Sequence, residues 1–256
     1  MDIADKFRGL KEKGEIALIA YISCGDPSAD ETVKIAGELI RAGVDILELG
    51  LPFSDPIADG PTIQAASQRA IEAGMDTDKY FETAKRITGV PKVCMTYYNL
   101  LYQYGLERFC KRCGEAGISG LIVADLPFEE SGDLMSTCEK SGVDLIFIIS
   151  PVNSEERIKK IAGQSKGFLY LQSLLGVTGA REEMQFKLNE ILAKAKQYSK
   201  VPVATGFGIS KPGQIKELMG QGVDGVIIGS AIIKKARDDR RGLGGYVRSL
   251  KAATAR

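Results

Sequence analysis

Two acids eleven residues apart stand out by their surroundings. Glu48 interrupts the apolar run Ile46-Leu47-Glu48-Leu49-Gly50, and Asp59 follows in a stretch stiffened by Pro52, Pro56 and Pro61. In a strand the neighbours Leu47 and Leu49 point away from Glu48, so Glu48 faces the opposite side. If that side is also buried, the carboxyl is desolvated, its pKa rises, and it serves as a general acid near neutral pH. A Glu satisfied by a local partner is the alternative, but buried unpaired Glu is uncommon, which favours catalysis. Taken alone, Asp59 reads equally as a loop acid or a helix cap. The chain contains no His, so imidazole bases, Ser–His and Cys–His pairs and the usual zinc sites are excluded. Chemistry here must run on carboxylates, lysines, tyrosines or backbone dipoles.

A second constellation suits a phosphate. Thr205-Gly206-Phe207-Gly208-Ile209-Ser210 and Ile228-Gly229-Ser230-Ala231 each follow an apolar run, and Gly176-Val177-Thr178-Gly179 follows another. Glycine lets backbone N–H groups approach oxygens with no Cβ in the way. If Ser230–Lys235 is helical, its first turn attracts a dianion. Tight turns alone would also explain one such segment; three on consecutive strands favour a phosphate.

These residues need a scaffold. Short apolar runs recur at Ala17–Ser23, Ile46–Gly50, Lys92–Tyr97, Gly120–Asp125, Asp144–Ser150, Phe168–Ser173, Val201–Gly206 and Gly225–Ser230. Their starts lie 24 to 33 residues apart, apart from one gap of 46, which is the rhythm of βα units. The long gap holds an extra helix over Thr77–Thr88. Ser28-Ala29-Asp30-Glu31 is a capping box before a helix over Thr32–Ala42. Gly43, Gly117, Gly142 and Gly222 each end a helix one residue before a Val or Ile that starts a strand. Near-continuous apolar strands imply a parallel sheet covered by helices. Eight of them at this length favour a closed (β/α)8 TIM barrel over an open doubly wound sheet, with extra helices at the N-terminus, after strand 2 and near strand 8. One domain over residues 1–256 is the simplest organisation. The polar residues at strand ends then collect at the C-terminal mouth, where barrel enzymes build their sites.

The stretch from Leu47 to Thr62 resembles the signature of the tryptophan synthase α-chain family. The likeness continues through Thr96-Tyr97-Tyr98-Asn99-Leu100, Val123-Ala124-Asp125-Leu126-Pro127, Gly176–Gly179, Gly206–Ser210 and Gly229-Ser230, in the family's order and spacing. The resemblance implies a barrel that cleaves indole-3-glycerol phosphate to indole and glyceraldehyde 3-phosphate in tryptophan biosynthesis. It puts Glu48 and Asp59 on the catalytic acid pair, Tyr170 on the strand-6 tyrosine, Asp125 on the strand-4 acid, and Tyr21 beside the indole. Tyr97 belongs to the same ring pocket, and Gly179, Phe207, Gly208, Gly229 and Ser230 to the phosphate site. Gly176–Glu183 is expected to be a lid with Thr178 reaching the catalytic end. No cofactor is expected in this chain. A β chain carrying pyridoxal phosphate is expected as its partner, in an α2β2 assembly, docked over Pro52–Pro61 with Phe53, Pro56 and Ile57 exposed. Leu174-Leu175 replaces residues that are often polar in the family, which bears on the lid alone.

The chemistry agrees with that assignment. Carbon C3 of indole leaves only after protonation, which calls for an acid at C3, an anion near the ring N–H, and a base for the glycerol hydroxyl. Lys92 and Lys166 flank strand beginnings and Lys211 begins a helix, so no lysine suits a Schiff base. Another sugar-phosphate barrel and a non-catalytic regulatory barrel are the remaining alternatives. The near balance of 34 basic and 33 acidic residues gives no footprint for nucleic acid or an acidic membrane. Met1–Gly14 lacks the apolar core of a signal peptide, and no run approaches the ~20 residues needed to span a bilayer. Five cysteines argue against a disulfide framework, so a cytoplasmic protein is expected. Cys110-x-x-Cys113 sits in the helical run Leu106–Ala116 with no second ligand pair, Cys24 reads as a small apolar filler, and Arg237–Arg241 reads as a solvated loop.

Overall fold

The computed structural model describes residues 2–172, 181–206 and 208–255, with α9 side chains from residue 188 onward. Among them lie α1 (Ile3–Glu12), β1 (Ala17–Ser23), α2 (Ala29–Arg41), β2 (Ile46–Gly50), α3 (Pro61–Glu72), α4 (Thr77–Lys85), β3 (Lys92–Thr96), α5 (Tyr98–Tyr104), α6 (Leu106–Glu115), β4 (Ile118–Val123) and α7 (Gly132–Ser141). Then follow β5 (Asp144–Leu145), β6 (Ile148–Ile149), α8 (Glu155–Gln164), β7 (Leu169–Gln172), α9 (Arg181–Tyr198), β8 (Val203–Gly206), α10 (Pro212–Gln221), β9 (Gly225–Ile228), α11 (Ser230–Asp238) and α12 (Leu243–Ala252).

All strand pairs are parallel, in the order β5-β4-β3-β2-β1-β9-β8-β7-β6. The two outer members, β5 and β6, are one strand interrupted at Ile146-Phe147. Ile146 N donates to Leu121 O of β4, and Tyr170 N of β7 donates to Phe147 O, both at 2.9 Å. The sheet therefore closes on itself as an eight-stranded barrel, as the βα rhythm predicts. Each strand is buried on both faces because side chains alternate between two cores. Leu18, Leu47, Leu49, Cys94 and Leu121 pack outward against the helices. Ile19, Ile46, Val93, Ile122, Phe168, Ala204 and Ile227 fill the interior. Helix α1 plugs the N-terminal end of that interior with Ile3, Phe7 and Leu10, the Phe7 and Phe168 rings lying 5.9 Å apart.

The punctuation follows the sequence. Ser28 Oγ accepts from Glu31 N at 3.2 Å, so α2 starts at Ala29, three residues before the expected Thr32, because the capping box is itself the first turn of the helix. Gly43, Gly117, Gly142 and Gly222 all have positive φ, which only glycine adopts freely. Lys92, buried at the foot of β3, donates from Nζ to Ala84 O, Ile87 O and Ala116 O at 2.6, 2.7 and 2.6 Å. It thus satisfies carbonyls left open at the ends of α4 and α6. Arg69 on α3 forms a two-point ion pair with Asp26 in the loop after β1, at 2.8 and 2.6 Å.

Extra helices stand at α1, between β2 and β3, and after β9, where they are expected. Other boundaries need correction. Helix α4 ends at Lys85 rather than Thr88, since Arg86 N already bonds Thr83 O. Tyr98–Tyr104 forms a helix that the aromatic-rich sequence hides. Arg237 and Asp238 belong to α11 and Arg240–Gly242 to a 3-10 turn, so this segment is not a loop. Among the described residues no helix is long and apolar enough to cross a membrane. The five cysteines are buried free thiols, and Cys110 Sγ lies 3.7 Å from Cys138 Sγ in the outer core. No cluster of three His, Cys, Asp or Glu suited to a metal exists among the described residues.

Candidate active site

Register aligns Tyr21 of β1, Glu48 of β2 and Val93 of β3 across the barrel. Ile46 lies two residues before Glu48 and is part of the interior core, so Glu48 points inward one layer nearer the C-terminal mouth. Its residue is 1% exposed, and Oε2 has no hydrogen-bond partner among the described residues. Burial, and then the charge of Asp59, push its carboxyl up to about 8. A protonated acid at neutral pH is the result.

Asp59 is half-buried in the loop between β2 and α3. Tyr97 Oη donates to Asp59 Oδ2 at 2.9 Å and accepts from Ala58 N at 3.1 Å. Phe53 stacks on the Tyr97 ring with centroids 5.2 Å apart, and Gln64 of α3 donates to Asp59 O at 2.9 Å. The loop is therefore pinned on both flanks. Burial raises the Asp59 pKa while the Tyr97 hydrogen bond opposes that rise.

Both acids open on a cavity of about 510 Å³ at the C-terminal mouth, a size typical of small-molecule sites. Tyr21, Met95, Ala124, Ile148 and Tyr170 form an apolar wall suited to a planar ring. Gly206, Gly208, Gly229 and Ser230 line the other end, with Lys234 beside them. Gly208 has φ +67°. A Cβ on Gly206 would sit 2.7 Å from Ile227 Cβ and 2.9 Å from Tyr170 Oη, so only glycine fits. Helix α11 begins at Ser230 and turns its open N–H groups toward this end, which favours an anion.

Of the residues singled out in the sequence, Glu48, Asp59, Tyr21, Tyr170, Gly208, Gly229 and Ser230 converge on this cavity. Tyr97 stands behind Asp59 rather than on the cavity wall. Asp125 is exposed, and its Oδ1 accepts from Tyr98 N at 2.7 Å, holding the start of α5. Thr178, Gly179 and Phe207 lie outside the described residues, and of the expected lid only Arg181–Glu183 are described, as the first turn of α9. Of the loop residues expected to be exposed, Ile57 is, whereas Pro56 is half-buried and Phe53 is half-buried against Tyr97. Cys24 is buried in the outer core. Lys234 and Gln172 also line the cavity but were not expected there. Lys234 is four residues after Ser230, one helical turn on, and Gln172 is two after Tyr170 on one strand, so helical and strand periodicity could have found both.

A barrel whose mouth pairs a proton-bearing buried carboxyl with a second carboxylate, and opposes them to a glycine-lined helix start, defines an acid–base (β/α)8-barrel enzyme. The family model described as tryptophan synthase alpha chain matches residues 7–255. The chain belongs to the tryptophan synthase α-chain family, whose reaction is that of a carbon–carbon lyase. The tryptophan synthase alpha chain of Methanosarcina barkeri is 50% identical, with 99% of this chain and 97% of that one covered. That of Methanocaldococcus jannaschii is 48% identical, covering 91% and 84%. A tryptophan synthase structure from Mycobacterium tuberculosis superimposes with TM-score 0.92 at 32% identity, covering 99% of this chain and 98% of that chain. The tryptophan synthase subunit alpha of Legionella pneumophila gives 0.89 at 33%, covering 99% and 98%.

Proposed function

We propose that the chain is the α subunit of tryptophan synthase and that Glu48 and Asp59 carry its retro-aldol cleavage of indole-3-glycerol phosphate. The observation that carries these roles is the buried, proton-bearing Glu48 facing a ring-sized cavity whose far end is lined by glycine and a helix start. Glu48 gives its proton to indole C3. Positive charge then develops at the ring nitrogen, where Asp59, steadied by Tyr97, lowers the barrier electrostatically. The Glu48 carboxylate takes the proton of the glycerol hydroxyl, the carbon–carbon bond breaks, and its electron pair returns to the ring. Glyceraldehyde 3-phosphate and indole leave, and Glu48 ends with the proton it began with.

Tyr21 and Tyr170 flank the ring on this reading. Gly208, Gly229 and Ser230, with Gly179 and Phe207, take the phosphate, and Lys234 adds a positive charge there. Thr178 joins the catalytic end, while Tyr97 and Asp125 act through the segments they hold. Residues 1–256 serve as one domain, cytoplasmic, needing no cofactor of its own. The product passes to a β chain that holds the pyridoxal phosphate, in an α2β2 complex. The test supplies indole-3-glycerol phosphate to the chain, with and without a β chain, and follows indole. Release that rises when the β chain is added is expected; no release in either mixture refutes the reading.

A further inference from the structure

Beside the main cavity lies a second one of about 170 Å³. It arises where the barrel seam loosens. Strand β4 pairs with β5 only at Gly120 and Leu121, although β4 runs on to Val123, and the interruption at Ile146-Phe147 falls in the facing strand. The gap is lined by Val123, Leu126, Phe128 and Phe147, with Ser150 and Asn153 among its polar lining. Ala124, Ile148 and Gln172 belong to both cavities, so the two share a wall.

That wall is the ring end of the main site. The acids approach from β2, and the anion end lies at β8, β9 and α11. An indole bound with its reacting carbon and ring nitrogen toward the acids, as proposed above, would turn its benzo edge to Met95, Ala124 and Ile148. A water molecule occupies roughly 30 Å³ of liquid, so the side cavity has room for a substituent of several heavy atoms. Gln172, at the boundary, offers both a donor and an acceptor.

We propose that this side cavity extends the ring site, so that the enzyme takes indole-glycerol phosphates carrying a small benzo-ring substituent, and that Gln172 favours a polar one. The inference rests on the reading of the main cavity given above. The seam, rather than the catalytic acids, then sets how much ring the barrel admits. A boundary amide left unpaired by an apolar group discriminates against it.

The test compares kcat/KM for indole-3-glycerol phosphate and for its 5- and 6-methyl and 5- and 6-hydroxy analogues. It uses the full chain and its Leu126→Phe, Val123→Leu and Gln172→Leu variants. Wild type is expected to cleave at least one hydroxy analogue within about tenfold of the parent compound, and to prefer hydroxy over methyl. Leu126→Phe fills the side cavity from a half-buried loop position, and Val123→Leu fills it from β4 should the first fail to fold. Either should leave the parent compound within about threefold and lower the analogue by about tenfold or more. Gln172→Leu should reverse the hydroxy-over-methyl preference. Rejection of all four analogues by wild type overturns the inference alone, as does equal loss for parent and analogue in a filled variant. Absence of cleavage of the parent compound overturns the underlying function as well.

Discussion

Glu48 keeps its proton because water is kept from it, and three measurements follow from that. Glu48→Gln preserves size and hydrogen bonding but has no proton to give, so indole release should fall by about 10²–10⁴-fold, while binding of a glycerol-phosphate ligand survives. Turnover near the wild-type rate would remove Glu48 from the mechanism. In wild type, activity should fall as pH rises through about 8, where the carboxyl ionises. The stability effect has the same sign. The folded carboxyl titrates near 8 and an unperturbed one at 4.5, so the unfolded chain binds fewer protons between these values and Glu48 destabilises the fold as pH rises. Urea unfolding should therefore show Glu48→Gln gaining on the order of a few kcal/mol over wild type at pH 9 relative to pH 4. At the other end of the cavity, Lys234→Met should raise KM for the phosphate-bearing substrate several-fold and flatten its dependence on salt, with kcat little changed. An unchanged salt response would detach Lys234 from the anion. Glu48 was legible in the sequence because a carboxyl violates an apolar strand, whereas Asp59, an ordinary loop acid by its surroundings, was singled out only by the family resemblance. Lys234 was not, because Lys234-Lys235 in a polar helix looks like a solvated face until the helix start is fixed at Ser230.

At the scale of elements, apolar runs located the strands and glycine stops the ends of α2, α6, α7 and α10, since those signals are local. Two features escaped because their causes are distant in the chain. Tyr98–Tyr104 is rich in residues of modest helix propensity, and its start is held by Asp125, 27 residues away. The fifth strand reads as one run from Asp144 to Ser150, yet it divides between two neighbours, β4 through Asp144-Leu145 and β7 through Ile148-Ile149. Lys92 shows the same logic in energetic terms. Its ammonium joins the carbonyl ends of α4 and α6, so Lys92→Met should orphan buried acceptors and lower stability by about 2–4 kcal/mol. Urea unfolding measures that loss. The site lies at the opposite end of β3, so kcat/KM at 25 °C should change less than about threefold. A large kinetic effect with unchanged stability would mean that the foot of β3 communicates with the mouth.

At the scale of the molecule, the large apolar side chains exposed among the described residues are Ile57, Tyr102 and Val152, at 82, 68 and 83%. They stand after β2, on α5 and after β6, all at the mouth. On the proposal that a β chain docks over the loop carrying Asp59, Ile57 is an apolar side chain that docking would cover. Ile57→Asp should weaken capture by the β chain about tenfold or more and leave the unassisted rate of the α chain unchanged. Equal affinity in both proteins would move the docking face elsewhere. The opposite end of the barrel carries a different consequence. Helix α1 seats Ile3, Phe7 and Leu10 against Phe168, Ala204 and Ile227, and Ala255 pairs with Glu15 at the junction with β1. Helix α1 thus precedes in the chain the strands β7, β8 and β9 that complete its pocket. Until those strands are synthesised the apolar stripe of α1 lacks part of its cover, a debt set by order along the chain rather than by any single contact.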